Sequence, residues 1–214
     1  MKTIRFYFDP ISPYAALAFW RLPEVLAGRS YAVDYLPILF GALLKANASK
    51  GPAEIPAKRD WTYRQVLWLA RQQGVDLRLP AAHPFNPLAL LRLAWACAPD
   101  GLTPSRWVVE RLFDHVWRAE GADPNDPERL AQLAQQLAPQ RVADEALAKQ
   151  RLREATDAAL AAGVFGVPTF EVDGKRIWGQ DSLPMLAALL DGDPWFDGPD
   201  WEAVRSVPVG VVRA

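Results

Sequence analysis

Strand-like sequence is confined to the two ends of this chain, and helical spacing fills everything between them. At the front, Thr3 to Phe8 is a short aromatic and β-branched run closed by Asp9-Pro10, the pattern of a buried strand. Ser12-Pro13 follows as a cap and first-turn pair. A serine hydroxyl accepts from an orphan helix amide, and proline has no amide to leave unpaired. The spacing predicts a helix from Pro13 to Ala27, stopped at Gly28, and then a second strand over Tyr31 to Pro37. Strand, helix, strand in that order predicts a parallel pair with a right-handed crossover. At the far end, Pro168 to Val172 and Lys175 to Trp178 read as strands about an Asp173-Gly174 hairpin turn. A helix over Asp181 to Leu190 completes that end.

The block from Phe40 to about Gly163 predicts helices near 59–73, 87–97, 104–118, 127–138 and 143–162. Loops are expected at 48–56, 79–87 and 120–127. The chain therefore divides into a discontinuous α/β part (1–39 and 164–192), an all-helical insertion (40–163) and a tail (193–214). The tail is rich in Pro, Gly, Asp and Trp, and no regular structure is expected there. The chain has 214 residues, half of them hydrophobic, enough for one medium domain with a sizeable core. A net charge of -1 without a basic stripe argues against nucleic acid or an anionic membrane as partner. The single cysteine, Cys97, rules out an intramolecular disulfide and fits a reducing compartment. Neither a signal-peptide pattern nor a membrane-length apolar run stands out, so a cytoplasmic protein is expected. No metal-ligand spacing is evident.

A β-α-β start and a β-β-α finish are the order of the thioredoxin fold, here with a large all-helical insertion. That fold carries its reactive residue where the first strand meets the first helix. The four residues at that place are Ser12-Pro13-Tyr14-Ala15, none of them a thiol, so this site cannot perform disulfide exchange. In Phe165-Gly166-Val167-Pro168-Thr169, Val167-Pro168 is placed to be a cis peptide facing that joint. Val167 then offers its backbone to an extended ligand. In Trp178-Gly179-Gln180-Asp181-Ser182, helix N-terminal amides attract a carboxylate and the Asp181 side chain can pair with an amine.

These stretches, FYFDPISPY (6–14), FGVPTF (165–170) and WGQDSL (178–183), resemble the kappa-class glutathione transferases and, more closely, the bacterial 2-hydroxychromene-2-carboxylate isomerases. KANASKGPAEIPAK (45–58) and HPFNPLALLRLA (83–94) are also similar to the family, and the resemblance spans the chain up to about residue 192. It implies glutathione as cofactor, a small aromatic substrate and a homodimer. It also implies interconversion of 2-hydroxychromene-2-carboxylate and trans-o-hydroxybenzylidenepyruvate in the breakdown of naphthalene-type aromatics. The implied chemistry is reversible addition of the glutathione thiolate to the conjugated carbon, which turns rotation about a double bond into rotation about a single one. A kappa-class transferase that releases the adduct, and a non-catalytic thiol- or peptide-binding module, are the alternatives.

Each candidate has a plainer reading beside it. Ser12 is an N-cap, or it donates to the glutathione thiolate with the help of the helix N-terminus. It lacks a nucleophile elbow, and His83 and His115 are far from it in sequence, so it is not read as a nucleophile. Pro168 is a strand entry or the cis proline. Val167, Trp178, Gly179, Gln180, Asp181 and Ser182 are the remaining glutathione candidates. Asp181 is equally placed to be a helix cap, and Ser182 stands where the family often has arginine. Lys45 and Lys58 are candidates for a carboxylate, against the usual fate of a lysine as a solvated side chain. The family's asparagine before a proline pair has no clear counterpart here; Asn47 lies nearby. Phe85 and Asn86 are candidates to face the aromatic substrate. His115 and Cys97 read as structural.

Overall fold

Side-chain alternation organises the sheet. In β1 (Lys2–Phe8), Ile4, Phe6 and Phe8 point into the main core while Tyr7 points to a smaller cluster on the other face. The computed structural model describes residues 1–141, 143 and 146–211. β1 pairs in parallel with β2 (Tyr31–Pro37) after the crossover helix α1 (Pro13–Val25), as the strand-helix-strand pattern predicts. It pairs antiparallel with β3 (Thr169–Val172), which pairs antiparallel with β4 (Lys175–Trp178). The sheet order is β2-β1-β3-β4, so the first and the late strands meet at its centre. Phe6 lies opposite Phe170 across the β1–β3 pair, their rings stacked at 4.8 Å.

The helices between are α2 (Phe40–Ala46), α3 (Pro56–Gln72), α4 (Leu88–Cys97), α5 (Arg106–Trp117), α6 (Pro127–Leu137) and α7 (Ala146–Ala161). The expected 59–73, 87–97, 104–118 and 127–138 match α3 to α6 with shifts of a few residues at the ends. The expected start of α7 at 143 falls partly on residues 144 and 145, outside the described residues. α5 joins the insertion to the sheet: Phe113 meets Phe8 at 5.4 Å and Phe19 at 5.3 Å. Trp95 of α4 donates its indole N–H to the Pro37 carbonyl at the end of β2. α7 packs on α4 and on the Tyr7 face of the sheet.

Three features differ from expectation. α2 is a separate helix starting directly after β2. The last long helix, α8 (Leu183–Asp191), begins after Gln180, Asp181 and Ser182, which form the turn leading into it. The tail is ordered into short helical turns, Pro194–Asp197, α9 (Pro199–Ala203) and Val204–Ser206. Asp193 caps the first turn through the Trp195 amide, and the Phe196 side chain is buried in the main core. Asp-Pro and Gly-Pro therefore act here as helix starts rather than as loop markers.

Candidate functional site

The joint between β1 and α1 is held on every side. Asp9, fully buried, accepts the amide of Ile11 and the amide of Phe40 at the start of α2, each at 3.0 Å. Burial pushes its carboxyl up to about 7, because the two amides do not replace the water it lost. The Trp117 indole donates to the Pro10 carbonyl at 2.8 Å, and His83 Nε2 donates to the Ile11 carbonyl at 2.8 Å. The Ser12 amide donates to the Asp9 carbonyl at 3.0 Å. The loop is thus pinned by the carboxylate that directly follows β1 and by two side chains of the helical insertion.

Ser12 is the N-cap of α1: Oγ accepts from the Ala15 amide at 3.2 Å. Among the described residues its hydrogen has one distant acceptor, the Val167 carbonyl, at 3.5 Å. A hydroxyl accepts through oxygen lone pairs and donates through its hydrogen, so capping and donation to a ligand do not compete. The Tyr14 amide lies in the first turn, where an α-helix offers no carbonyl partner. Val167-Pro168 is cis, as its sequence context predicts. The Pro168 carbonyl accepts from the Gly179 amide at 3.0 Å, tying the cis proline to the end of β4.

The stretch after β4 lies beside the cis proline through that Gly179–Pro168 bond. Gly179 has φ +101°, and a β-carbon there would overlap the Asp181 carboxylate. The Tyr14 phenol is pushed up, first by burial and further by the Asp181 charge, with a Thr62 hydrogen bond acting against both, so Asp181 lies within electrostatic reach of the start of α1. Tyr14 donates to Gln65 Oε1 of α3 at 2.6 Å. Gln180 is buried and accepts from Gln73 Nε2 at 3.3 Å. Gln73 Oε1 is itself buried with no hydrogen-bond partner among the described residues. Ser182 occupies the N-cap position of α8 without a side-chain capping bond. The Trp178 indole is half-exposed, meets the Phe165 ring at a tilt with centroids 5.0 Å apart and leaves no room for a side chain on Gly166.

The other candidates are more spread out. Lys45 lies in the last turn of α2 and Lys58 in the first turn of α3, both exposed and without hydrogen-bond or ion-pair partners among the described residues. Phe85 packs on the main core with its ring 6.2 Å from that of His83. Asn86 Oδ1 accepts from the Leu88 amide, so this candidate already serves the start of α4. His115 donates to or accepts near no other candidate; its Nε2 meets the Pro124 carbonyl. The Cys97 thiol is half-buried and pushed up to about 11 by burial, which keeps it protonated. Asp9 and His83 join the site from structure alone. Asp9 leaves one sequence trace, a carboxylate directly after a continuous apolar strand. His83 leaves only its place in the HPFNP stretch, where nothing points to Ile11, more than seventy residues away.

The model of the DSBA-like thioredoxin domain matches residues 3–191. The chain is 28% identical to 2-hydroxychromene-2-carboxylate isomerase of Sphingobium xenophagum, over 88% of this chain and 98% of that one. It is 27% identical to glutathione S-transferase kappa 2 of Caenorhabditis elegans, over 92% of this chain and 95% of that one. Among solved structures, a 2-hydroxychromene-2-carboxylate isomerase superposes with a TM-score of 0.76 at 25% identity, covering 93% of this chain and 98% of that one. No helix among the described residues is long and apolar enough to cross a membrane.

Proposed function

The chain belongs to the DSBA-like thioredoxin domain family, and from that premise we propose that it is a glutathione-dependent cis–trans isomerase. The proposed reaction interconverts 2-hydroxychromene-2-carboxylate and trans-o-hydroxybenzylidenepyruvate in aromatic hydrocarbon degradation, in a cytoplasmic homodimer. The observation that carries this reading is the Ser12 hydroxyl, whose oxygen caps α1 while its hydrogen has no partner closer than 3.5 Å among the described residues. With only the Val167 carbonyl beside the cis proline at that distance, the hydrogen is free to turn to an anionic sulfur.

The residues present fit glutathione. The Val167 backbone, beside cis Pro168, suits the extended cysteinyl part of a peptide. Asp181 and the unpartnered Gln73 Oε1 are acceptors of the kind an ammonium needs, and the amides at the start of α8 suit a carboxylate. Trp178, Gly179, Gln180 and Ser182 shape that end of the site. Bound glutathione supplies the nucleophilic sulfur that adds to the substrate and leaves again. Ser12 and the Tyr14 amide lower the cost of holding that sulfur ionised near neutral pH. Lys45 and Lys58 are the cations proposed for a carboxylate, and Phe85 and Asn86 the residues proposed to face the aromatic ring.

The test follows the ultraviolet spectrum of 2-hydroxychromene-2-carboxylate with wild type and Ser12→Ala, with and without glutathione. Fast glutathione-dependent equilibration in wild type, reduced about 100-fold or more in the variant, is expected for a lost anion donor. Equilibration at the buffer rate sinks the isomerase. Similarity to a kappa transferase at nearly equal identity supports a second reading, conjugation. Glutathione consumed stoichiometrically, instead of recovered, selects it. Binding without either turnover selects a non-catalytic module.

A further inference from the structure

His83 belongs to the segment that carries Phe85 and Asn86, and its ring reaches the joint between β1 and α1. Nε2 lies 2.8 Å from the Ile11 carbonyl, an oxygen that can only accept, so Nε2 carries the hydrogen. Nδ1, then without a hydrogen, lies 2.9 Å from the Tyr63 hydroxyl of α3, whose single hydrogen also has the His83 carbonyl within reach at 3.1 Å. The ring is packed edge-on to Tyr63, Phe85 and Trp117, with centroids 5.7, 6.2 and 5.4 Å away, which fixes its plane. Burial lowers the imidazole pKa, the Ile11 bond raises it and the Arg59 charge lowers it again.

The Ile11–Ser12 peptide is planar, so its carbonyl and the Ser12 amide turn as one unit. His83 holds the oxygen end and the Asp9 carbonyl holds the nitrogen end. With both ends fixed, the peptide plane is fixed; the Ser12 carbonyl, held by the Ala15 and Ala16 amides, fixes the other side of its Cα, and the two together set the direction in which the Ser12 side chain leaves the backbone. We infer that His83 is a positioning residue for the proposed reaction, which orients the Ser12 hydroxyl toward a bound thiolate by holding the Ile11 carbonyl. The inference rests on the glutathione reading. It gives the helical insertion a part in the thiolate site, through a side chain that touches neither sulfur nor substrate.

The test compares wild type with His83→Leu, His83→Gln and Tyr63→Phe. Two quantities are read: amide hydrogen exchange at Ile11, Ser12 and Ala15 without ligand, and the thiolate absorbance of bound glutathione against pH. Leucine fills the space without donating, whereas the glutamine amide reaches as Nε2 does. Expected are faster exchange and about tenfold less thiolate at fixed pH in His83→Leu, both restored in His83→Gln. Unchanged exchange in His83→Leu overturns the proposal, and so does faster exchange with an unchanged thiolate titration. Where His83→Leu does not fold, Tyr63→Phe is read in its place. It removes the hydroxyl that holds Nδ1 and the His83 carbonyl and so loosens the ring, and loop exchange and thiolate fraction both unaltered there overturn the proposal. A wild type that shows no glutathione thiolate sinks the functional reading instead, and the exchange data then decide the loop-holding claim alone.

Discussion

A fully buried carboxylate without a counter-charge sets up a pH dependence opposite to that of a surface carboxylate. Burial pushes the Asp9 carboxyl up to about 7 in the folded chain, from an ordinary value of 3.8, so the folded state takes up its proton first as pH falls. Between those values the native state binds more protons than the unfolded state. Stability from this group therefore rises as pH falls from 7 towards 4, and its full cost is carried above pH 7. Comparing urea unfolding of wild type and Asp9→Asn cancels the rest of the titration. The wild type is expected to gain roughly 2.5 kcal/mol relative to the variant on moving from pH 8 to pH 5. A difference that stays flat, or that grows with pH, removes the account of Asp9 as an uncompensated buried acid. Its ionised form matters to the site all the same, since only a carboxylate accepts from Ile11 and Phe40 through both oxygens at equal strength.

At the level of elements, the turn from β4 into α8 is the part whose geometry is least negotiable. Gly179 holds a φ that side chains avoid, and Asp181 fills the space where its β-carbon would go. Gly179→Ala is expected to cost about 1–3 kcal/mol of stability from backbone strain alone. By displacing the Asp181 carboxylate it is also expected to weaken glutathione about tenfold, as Asp181→Asn does by removing the charge. Calorimetric titration of both variants checks this. An unchanged dissociation constant in Asp181→Asn takes that residue out of the proposed site. The same turn shows what the sequence makes legible. Its location was readable because Trp178 ends a hairpin strand and Leu183 starts an apolar helix. The exact helix start was not, because Asp181 and Ser182 satisfy the rules for a cap and for a turn equally well. The two strand pairs and the helices α3 to α6 were readable from period and punctuation. The helical tail was not, because proline after aspartate marks a loop and a first turn alike.

For the molecule as a whole, the division into a discontinuous α/β part and a helical insertion describes the order of the chain, while the interior is shared. The main core takes Phe6, Phe8 and Phe19 from the first part, Leu112, Phe113 and Trp117 from the insertion, and Leu183 and Leu186 from the last helix. That sharing explains why Ser12 and Pro168 were legible as candidates at the joint and the hold of His83 and Trp117 on it was not. The first pair sit in local motifs whose geometry follows from neighbours in sequence. The second pair reach the loop only because α5 and the segment before α4 dock on the sheet, and no short-range pattern encodes a docking. A shared core also predicts how the protein comes apart. Scanning calorimetry is expected to show one transition, with equal calorimetric and van't Hoff enthalpies. Phe113, wedged between Phe8 and Phe19, is the residue to test this with. Phe113→Ala removes a buried ring worth about 3–5 kcal/mol, which for a chain of this size lowers the midpoint by on the order of 10 °C. If insertion and sheet fold as one unit, the lowered transition stays single and the Ser12 loop loses order only with it. A transition that splits in two, with the sheet melting later than the helices, would show that the insertion is a separate unit and that its hold on the loop can be released without unfolding the rest.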